Sequence, residues 1–295
     1  MKKMLVFGGT RFFGQKVVHH FLDLGYDVTI ATRGKSTDDL GELVNRVVLD
    51  RSDATHPGWA SLNKEKWDVV FDNISFTWED SKIICDQLDA DNIGHYLFTS
   101  SLAVYEGAAP EAGFTEKDFD PTNYNFTPTS DVSYGEGKRQ CESYLETNYH
   151  GLKTYLRFPV VLDDDDYTER LHYYVRHALQ NEEINFKRQD GRYSFVEASE
   201  IPKVIQFIVE NKTSGPLNVA SDEIYTTKDF LSRLLSGTEL SSLNICYDLT
   251  QEAAPLSKYD EPLSAAYLTS LGYQTSQLDD WFPQLIRSLT IQERS

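Results

Sequence analysis

A tyrosine and a lysine, Tyr134 and Lys138, stand four residues apart in the segment YGEGK, which opens a helical pattern. Residues at this spacing lie on the same face of an α-helix. An ammonium group beside a phenol stabilises the phenolate, so a tyrosine placed there serves as an acid and base near neutral pH. Ser101 follows a predicted strand in FTSSLAVYE, where its hydroxyl would hold a substrate hydroxyl. We therefore predict a catalytic group of Ser101, Tyr134 and Lys138.

The tyrosine-lysine spacing is not specific by itself, because Tyr149 and Lys153 repeat it. Gly151 follows Tyr149 closely, which is typical of a helix end, so this second pair is predicted to lie on different elements. Tyr134 instead begins a strongly amphipathic helix. The context therefore favours Tyr134 and Lys138 as the functional pair.

The segment MLVFGGTRFFGQKVV, residues 4–18, runs from an apolar strand through glycines into a predicted helix. Gly8 stands directly after the strand, where a tight turn needs glycine, and Gly14 stands where the helix must pack closely on the sheet. The first amides of such a helix bind a pyrophosphate. Arg11 occupies the place of the usual middle glycine, so a plain strand-turn-helix stays an alternative. The predicted cofactor-binding residues of this segment are Gly8, Thr10, Arg11, Phe12, Phe13 and Gly14.

The end of the second strand bears on the choice of cofactor. Dinucleotide folds that prefer NAD place an acid there, which binds the ribose 2′-hydroxyl, whereas VTIATRGKS puts Thr32 at that position and Arg33 after it. Arginine binds phosphate through a planar set of donors. We therefore predict that Arg11 and Arg33 favour NADP(H) over NAD(H), with two solvated surface arginines as the alternative. Asp50, which ends the third strand, is predicted to accept from the adenine amino group or to be a simple strand-end acid.

Apolar runs that alternate with helical patterns organise the first half of the chain. The predicted strands are 4–7, 28–32, 46–50, 68–72 and 96–100. Strands separated by helices of this length form a parallel sheet with helices on both faces, which is the doubly wound α/β architecture. The later predicted elements are helix 134–149, strand 153–158, helix 168–179, a strand-helix-strand unit within 194–220, and helices 227–235, 262–271 and 276–289. Residues 108–131 are predicted to form a long loop.

The composition restricts the classes of partner. The chain has 46 acidic residues against 28 lysines and arginines, and its net charge of −18 without a basic stripe argues against nucleic acid. Its three cysteines are far apart and lack a CxxC spacing, which argues against a disulfide framework, and we predict no metal site. No apolar run approaches the length of a membrane span or a signal-peptide core. We therefore expect a cytoplasmic protein that binds neither nucleic acid nor membrane.

Five segments together resemble one enzyme family. GGTRFFG, SSLAVY, YGEGK, RFPVV and SFVEASEI occur in an order and at spacings similar to those of the extended short-chain dehydrogenases/reductases, the NAD(P)-dependent epimerase/dehydratase family. The resemblance covers residues 1–221. It implies a Rossmann fold in which Ser101, Tyr134 and Lys138 form the catalytic triad, Lys138 also holds the nicotinamide ribose, and Pro159 contacts the cofactor.

The same resemblance implies a division of the chain and a class of substrate. The dinucleotide-binding Rossmann domain would comprise residues 1–160 and 194–221, and a smaller substrate-binding lobe residues 161–193 and 222–295. Substrates of the family are usually sugars linked to nucleoside diphosphates, which makes a nucleoside-diphosphate sugar the expected substrate. Arg188 and Arg192 are candidates for contacting the diphosphate. A homodimer paired through helices is also common in the family.

Two departures from the family pattern narrow the reaction. Leu102 and Ala103 stand where sugar 4,6-dehydratases carry an Asp-Glu pair, so the acid and base of a dehydratase are missing. Asp163 and Asp164 replace a common Gly-Pro within a run of four aspartates, which is predicted to be a solvated loop. Epimerisation and reduction both stay open as outcomes. The alternative function is a non-catalytic nucleotide-binding or RNA-binding protein of the atypical type, because GGTRF and TRG also resemble the chloroplast stem-loop RNA-binding proteins.

Overall fold

The computed structural model describes residues 1–129, 131–258 and 260–295. The strands, in chain order, are β1 (Lys3–Phe7), β2 (Asp27–Thr32), β3 (Asn45–Val48), β4 (Val69–Asp72), β5 (Tyr96–Ser101), β6 (Lys153–Phe158), β7 (Val160–Leu162), β8 (Ile184–Asn185), β9 (Arg192–Tyr193), β10 (Phe195–Glu197), β11 (Gly215–Asn218), β12 (Tyr225–Thr226) and β13 (Ile245–Cys246). The α-helices are α1 (Phe12–Asp23), α2 (Gly58–Leu62), α3 (Trp78–Gln87), α4 (Tyr134–Asn148), α5 (Arg170–Leu179), α6 (Ile201–Asn211), α7 (Thr227–Thr238), α8 (Ala266–Ser270) and α9 (Leu278–Arg294).

The central element is a seven-stranded parallel sheet with the strand order β11-β6-β5-β4-β1-β2-β3. Strand β1 lies between β2 and β4, and its last residue, Phe7, is level with Ala31 and Asp72. The chain leaves β1 toward one side and later returns on the other, which creates the crevice where ligands of such sheets bind. The predicted doubly wound α/β fold is therefore confirmed.

Local sequence explains why the first crossover forms. Residues Met4 to Phe7 are all fully buried, as expected of a strand covered on both faces. The buried side of α1 includes Val17, Val18 and Phe21, which recur at helical spacing. Gly25 follows the helix with a φ of +78°, a left-handed conformation that ends helices at little cost in glycine. This strand and helix position the turn at residues 8–11.

The described chain divides into two compact units. The first contains residues 1–106, 116–158 and 201–218, and therefore the whole parallel sheet. The second contains residues 107–115, 159–200 and 219–295, and has a core rich in aromatic rings. Phe230 is central to that core, with its ring centroid 4.8 Å from Tyr174 and 5.6 Å from Phe282. Residues 107–115 and 194–200 belong to the second unit, whereas the family resemblance assigns them to the first.

Within the described residues, no helix combines the length and the apolar character that crossing a bilayer requires.

A buried ion pair joins α4 to the sheet. Glu142 and Arg157 are fully buried, and Arg157 donates to both carboxylate oxygens of Glu142, at 2.6 and 3.0 Å. Ser100, at the end of β5, donates to the same carboxylate at 2.5 Å. The remaining guanidinium donors reach the Tyr105 hydroxyl and the main-chain oxygens of residues 116 and 119. This network fixes one turn of α4, four residues beyond Lys138, against β5 and β6.

A buried histidine predicts acid sensitivity of the fold. His95 is 3% exposed, its Nε2 is 2.8 Å from Thr154 Oγ1, and burial lowers its pKa from 6.5 to about 4. Between these two pH values the unfolded chain binds a proton that the folded chain excludes, so the free energy of unfolding falls as the pH is lowered. At about 1.4 kcal/mol per pKa unit, the loss is about 3 kcal/mol.

We expect His95→Gln, which cannot ionise, to lose less stability than the wild type between pH 7 and pH 4. Urea denaturation at several pH values measures the free energy of unfolding of both proteins. The two proteins share the same carboxylates, so the contribution of these groups cancels in the difference. Parallel pH dependences would show that His95 is not the group responsible.

Candidate active site

The turn between β1 and α1 is built around glycines. Gly8 has a φ of +85°, and a Cβ at this position would overlap the Ile74 side chain. A Cβ on Gly14 would lie 2.7 Å from the Gly8 carbonyl oxygen, so only glycine lets the helix approach the strand end this closely. Phe12, at the start of α1, has a left-handed φ of +51°, which is unusual for an aromatic residue. The predicted positions of Gly8 and Gly14 are thus brought together.

The other predicted residues of this segment have different surroundings. Thr10 is half-buried in the turn itself, between Gly8 and α1. The Phe13 ring packs with Phe12 at 5.5 Å and with Phe158, at the end of β6, at 5.6 Å. The segment therefore spans from the end of β1 to the end of β6 along the carboxyl edge of the sheet.

Two exposed arginines flank the turn. Arg11 is the residue that precedes α1, and Arg33 follows β2. Neither guanidinium has a hydrogen bond or an ion pair to any residue in the ranges 1–129, 131–258 and 260–295. Asp50 lies two residues beyond β3, where hydrogen bonds from Ser52, and more weakly the charge of Arg33, hold its pKa below the ordinary range. The two cations are therefore available to an anionic ligand.

Tyr134 and Lys138 occupy the first turns of α4. Ser133 precedes the helix, and its hydroxyl accepts a hydrogen bond from the Glu136 amide, which explains why α4 begins at Tyr134. The Tyr134 side chain is 52% exposed, while Lys138 is 1% exposed. The Lys138 ammonium lies 5.7 Å from the centroid of the Tyr134 ring. The phenol thus faces solvent with a buried cation beneath it.

Two main-chain carbonyls and two further rings surround the Lys138 ammonium. It donates to Ser75 O at 2.6 Å and to Thr99 O at 2.7 Å. The rings of Phe76 and Phe98 are each centred 4.8 Å from its Nζ. These contacts are to neutral groups that favour a cation, and no carboxylate from the described residues neutralises the charge. The positive charge is therefore available to stabilise a negative charge on Tyr134 or on a group bound beside it.

Ser101 is the last residue of β5, two residues beyond Thr99. Its hydroxyl accepts from the Ala103 amide at 3.2 Å, which caps the short turn Leu102–Val104. Gly135 packs directly on the Ala103 carbonyl oxygen, where a Cβ would overlap it. The first turn of α4 therefore touches the segment that follows Ser101. The structure brings Ser101, Tyr134 and Lys138 to the same edge of the sheet.

Comparisons with known proteins show which of them have a similar fold. No protein-family model matches the chain. The UDP-glucose 4-epimerase of Thermus thermophilus, solved with NAD, aligns over 99% of both chains with a TM-score of 0.72 and 17% sequence identity. The UDP-glucose 4-epimerase of Thermotoga maritima, solved with UDP-glucose, aligns over 99% of this chain and 98% of its own, with a TM-score of 0.74 and 17% identity. The chain therefore has the same fold as these two epimerases.

Two further proteins resemble the chain. The dTDP-glucose 4,6-dehydratase of Bacillus anthracis, solved with NAD, has the same fold, with a TM-score of 0.74 over 99% of this chain and 96% of its own, at 14% identity. By sequence, the chloroplast stem-loop binding protein of 41 kDa b from Arabidopsis thaliana is 29% identical over 116 residues. That match covers 35% of this chain and 30% of the plant protein. The resemblance inferred from the motifs is thus confirmed at the level of the fold.

In this fold the second tyrosine-lysine pair is divided between two elements. Tyr149 follows the end of α4 and Lys153 begins β6, as the sequence indicated. The Lys153 ammonium donates to the Tyr149 main-chain oxygen at 2.9 Å, so the lysine caps a helix end. Pro159 is buried between β6 and β7 at the beginning of the second unit, and its predicted contact with the cofactor stays a prediction.

In the second unit, both arginines that were candidates for a diphosphate have protein partners. The Arg192 guanidinium donates to the carbonyl oxygens of Ala109, Pro110 and Glu111 at 2.8 to 3.0 Å, and therefore holds the segment 107–115 in place. Arg188 is paired with Asp190 and Asp260. Neither guanidinium is thus free for a diphosphate, because a ligand would have to displace these partners.

The aspartate run is only partly solvated. Asp164 and Asp165 are exposed, but Asp166 is buried, and its carboxylate accepts from the Thr168 amide and hydroxyl. The reason is a local turn in which the aspartate side chain bonds to the main chain two residues later.

Sequence reasoning missed the buried network behind Lys138. Asp72, at the end of β4, accepts hydrogen bonds from Arg51, Ser75 and Tyr96. The only signal in the sequence is a charged residue at the end of an apolar strand, and many strand-end acids are simply solvated. Its partners come from β5 and from the segments that follow β3 and β4, so the network becomes visible only with the strand order.

Proposed function

We propose that the chain is an NAD(P)-dependent epimerase or reductase that acts on a hydroxyl or carbonyl group of a sugar-type substrate. The observation that carries the proposal is the exposed Tyr134 phenol above the buried Lys138 ammonium, at the edge where the glycine turn also lies. The structural neighbours include epimerases solved with NAD and with UDP-glucose, which supports this class of reaction. A nucleoside-diphosphate sugar is therefore the proposed substrate class.

In the proposed mechanism, Tyr134 exchanges a proton with the substrate oxygen. Ser101 hydrogen-bonds to the same oxygen and orients it toward the phenol. The Lys138 ammonium stabilises the phenolate that forms when Tyr134 gives up its proton, and the low exposure of Lys138 strengthens this interaction because little water screens it. A bound nicotinamide would supply the hydride acceptor or donor.

The residues around the glycine turn fit a dinucleotide. Gly8 and Gly14 leave the main chain open to a pyrophosphate, and the first amides of α1 would donate to it. Lys138 would hold the nicotinamide ribose, and Asp50 would accept from the adenine. Arg11 and Arg33, whose guanidinium groups have no hydrogen bond or ion pair within the described residues, would bind a 2′-phosphate on the adenosine ribose. We therefore propose NADP(H) as the preferred cofactor.

Reversal of one charge tests this preference. We expect the wild type to bind NADPH more tightly than NADH, and Arg33→Asp to weaken NADPH binding by about tenfold or more, because a charge-assisted hydrogen bond contributes roughly 1.5–3 kcal/mol. Fluorescence titration of both reduced cofactors measures the affinities. Arg287→Asp, which changes an arginine on α9, is the matched control and should change neither affinity. An unchanged preference in Arg33→Asp would contradict the assignment of Arg33.

A direct assay tests the reaction class. The wild type is incubated with NADP+ or NADPH and either UDP-glucose or dTDP-glucose, and both the cofactor absorbance and the sugar products are followed. Net change of the cofactor indicates reduction or oxidation, and a changed sugar without net cofactor change indicates epimerisation. Dehydration is not expected, because Leu102 and Ala103 provide no acid and base. Absence of all turnover with a bound cofactor would contradict the proposed substrate class.

A second candidate function comes from the plant relative, whose name describes binding to a stem-loop. A non-catalytic nucleotide-binding or RNA-binding role would use the same fold. The net charge of −18 opposes it, because affinity for nucleic acid depends mainly on cations that neutralise phosphates. Filter binding with a labelled stem-loop RNA distinguishes the two, and salt-sensitive retention of the RNA would favour this alternative. A homodimer paired through helices also stays a prediction.

A further inference from the structure

We infer that Asp72 and Ser75 are positioning residues, which act through the Ser75 carbonyl to hold the Lys138 ammonium beneath Tyr134. The inference rests on the proposed function, because it assigns a role to residues behind its catalytic pair. The evidence for it is a continuous chain of buried hydrogen bonds that runs from Asp72, at the end of β4, through Ser75 to the Lys138 side chain on α4.

The first step of the chain joins the lysine to the loop after β4. Lys138 Nζ donates to Ser75 O at 2.6 Å, and Ser75 is fully buried. A main-chain carbonyl can position an ammonium only if its own peptide is fixed. The second acceptor, Thr99 O, belongs to β5 and is fixed by the sheet. The Ser75 carbonyl lies outside any strand, so another contact must hold it.

The second step fixes that peptide. The Ser75 hydroxyl donates to Asp72 Oδ2 at 2.7 Å, and the Ile74 amide donates to Asp72 Oδ1 at 3.2 Å. One carboxylate therefore fixes two consecutive residues before the loop continues to Phe76. The Phe76 amide, which belongs to the same peptide as the Ser75 carbonyl, donates to Asp80 at 2.8 Å, and the Phe76 carbonyl contacts Gly137 of α4. The peptide is therefore held by Asp72 on one side and by Asp80 on the other.

The third step fixes the carboxylate. Asp72 is fully buried and receives Arg51 Nη1 at 2.6 Å and the Tyr96 hydroxyl at 2.7 Å. Although burial alone would raise the pKa of Asp72, the adjacent Arg51 charge lowers it, so the carboxylate stays ionised. Four hydrogen-bond donors hold the ionised Asp72 carboxylate in one orientation. The carboxylate in turn fixes the position of the Ser75 hydroxyl that donates to it.

Titratable groups from several elements surround the ammonium. Facing it or its immediate network are Tyr134 and Cys141 on α4, Asp72 at the end of β4, Asp80 on α3, and Tyr96 on β5. Burial raises the pKa of Cys141 to about 12 and that of Tyr96 well above its ordinary value. A shift in the pH dependence of turnover would therefore not come from Cys141 or Tyr96.

Removal of the Ser75 hydroxyl tests the inference. In Ser75→Ala the peptide that carries the Ser75 carbonyl keeps its hydrogen bond to Asp80 but loses the one to Asp72, so we expect the carbonyl and the ammonium to shift relative to Tyr134. We expect turnover to fall by about tenfold, and the acid side of the pH profile to move to higher pH by about one unit, because the phenolate loses part of its stabilisation. Ser143→Ala is the matched control, since Ser143 is also buried and donates to a main-chain oxygen, of Tyr124, at 2.6 Å. It should leave the profile unchanged.

A labelling experiment gives a second readout that needs no turnover. The rate at which acetic anhydride modifies Lys138, followed by mass spectrometry, should rise severalfold in Ser75→Ala and stay at the wild-type rate in Ser143→Ala. Should Ser75→Ala fail to fold, Ser75→Cys, with a weaker donor, is expected to change the labelling in the same direction. A wild-type labelling rate in a folded Ser75 variant would overturn the inference. Faster labelling with no activity in any variant would instead count against the proposed function.

Discussion

Tyr134→Phe is expected to lower turnover by about 10³-fold, within the range of 10² to 10⁴ that a positioned acid and base contributes. The substitution removes only the phenolic oxygen, so the proton has no acceptor while the ring remains beside Lys138 and Phe76. Affinity for the reduced cofactor should change by less than about threefold, a difference of under 1 kcal/mol. Steady-state kinetics and fluorescence titration measure the two effects separately.

The control for this variant comes from the second tyrosine-lysine pair. Tyr149 is buried, and its hydroxyl has no hydrogen-bond partner in the described structure, so Tyr149→Phe removes the same oxygen from the same spacing motif. Its turnover should equal that of the wild type. Undiminished turnover in Tyr134→Phe, or an equal loss in both variants, would remove Tyr134 from the mechanism.

Glu142→Gln is expected to lower the free energy of unfolding by about 3–5 kcal/mol, because it leaves the guanidinium of Arg157 buried without a counter-charge. Both residues are fully buried, and the pair fixes α4 between β5 and β6. Urea denaturation at neutral pH measures the loss. As a control, Glu65→Gln breaks a surface ion pair with Lys3. The Lys3 and Glu65 side chains are 37% and 45% exposed, so this substitution should lower the free energy of unfolding by less than about 1 kcal/mol.

A double variant separates the lost pair from the unpaired charge. Glu142→Leu combined with Arg157→Met removes both charges, so its loss of stability should be smaller than that of Glu142→Gln alone. A loss of stability in the double variant that equals or exceeds that of Glu142→Gln would contradict this explanation. Side-chain packing and the hydrogen bonds of Arg157 to residues 105, 116 and 119, rather than the unpaired charge, would then dominate this network.

The sheet was predictable because its strands carry their own signal. The run at residues 4–7 is wholly apolar, and β6 has the predicted limits of 153 and 158, since a strand buried on both faces needs no partner information to be recognised. Helix α4 begins at the predicted Tyr134 because Ser133 caps it. Helix 262–271 was predicted too long, because α8 covers only Ala266–Ser270. Residues before it stay extended, with Phe114 hydrogen-bonded to Pro262 and Ser264 at 2.8 Å.

The candidate site was predictable in so far as it depends on strand ends. Gly8, Ser101 and Arg33 lie at the ends of β1, β5 and β2, and the carboxyl ends of parallel strands meet at one edge whatever the loops do. The network of Asp72 and Ser75 was not predictable, because its hydrogen bonds join residues that are distant in the chain. Arg192 illustrates the same limit, since its three carbonyl partners lie 81 to 83 positions earlier. The type of a side chain shows which bonds it can form, but not which distant residue it will contact in the fold.

Binding of reduced cofactor to the unmodified protein tests the central claim most directly. The claim is that a nicotinamide dinucleotide occupies the glycine turn beside Tyr134 and Lys138. Fluorescence titration of the full chain with NADPH, and separately with NADH, is predicted to give saturable binding at one site per chain, with the lower Kd for NADPH. Absence of saturable binding for both cofactors would contradict the account.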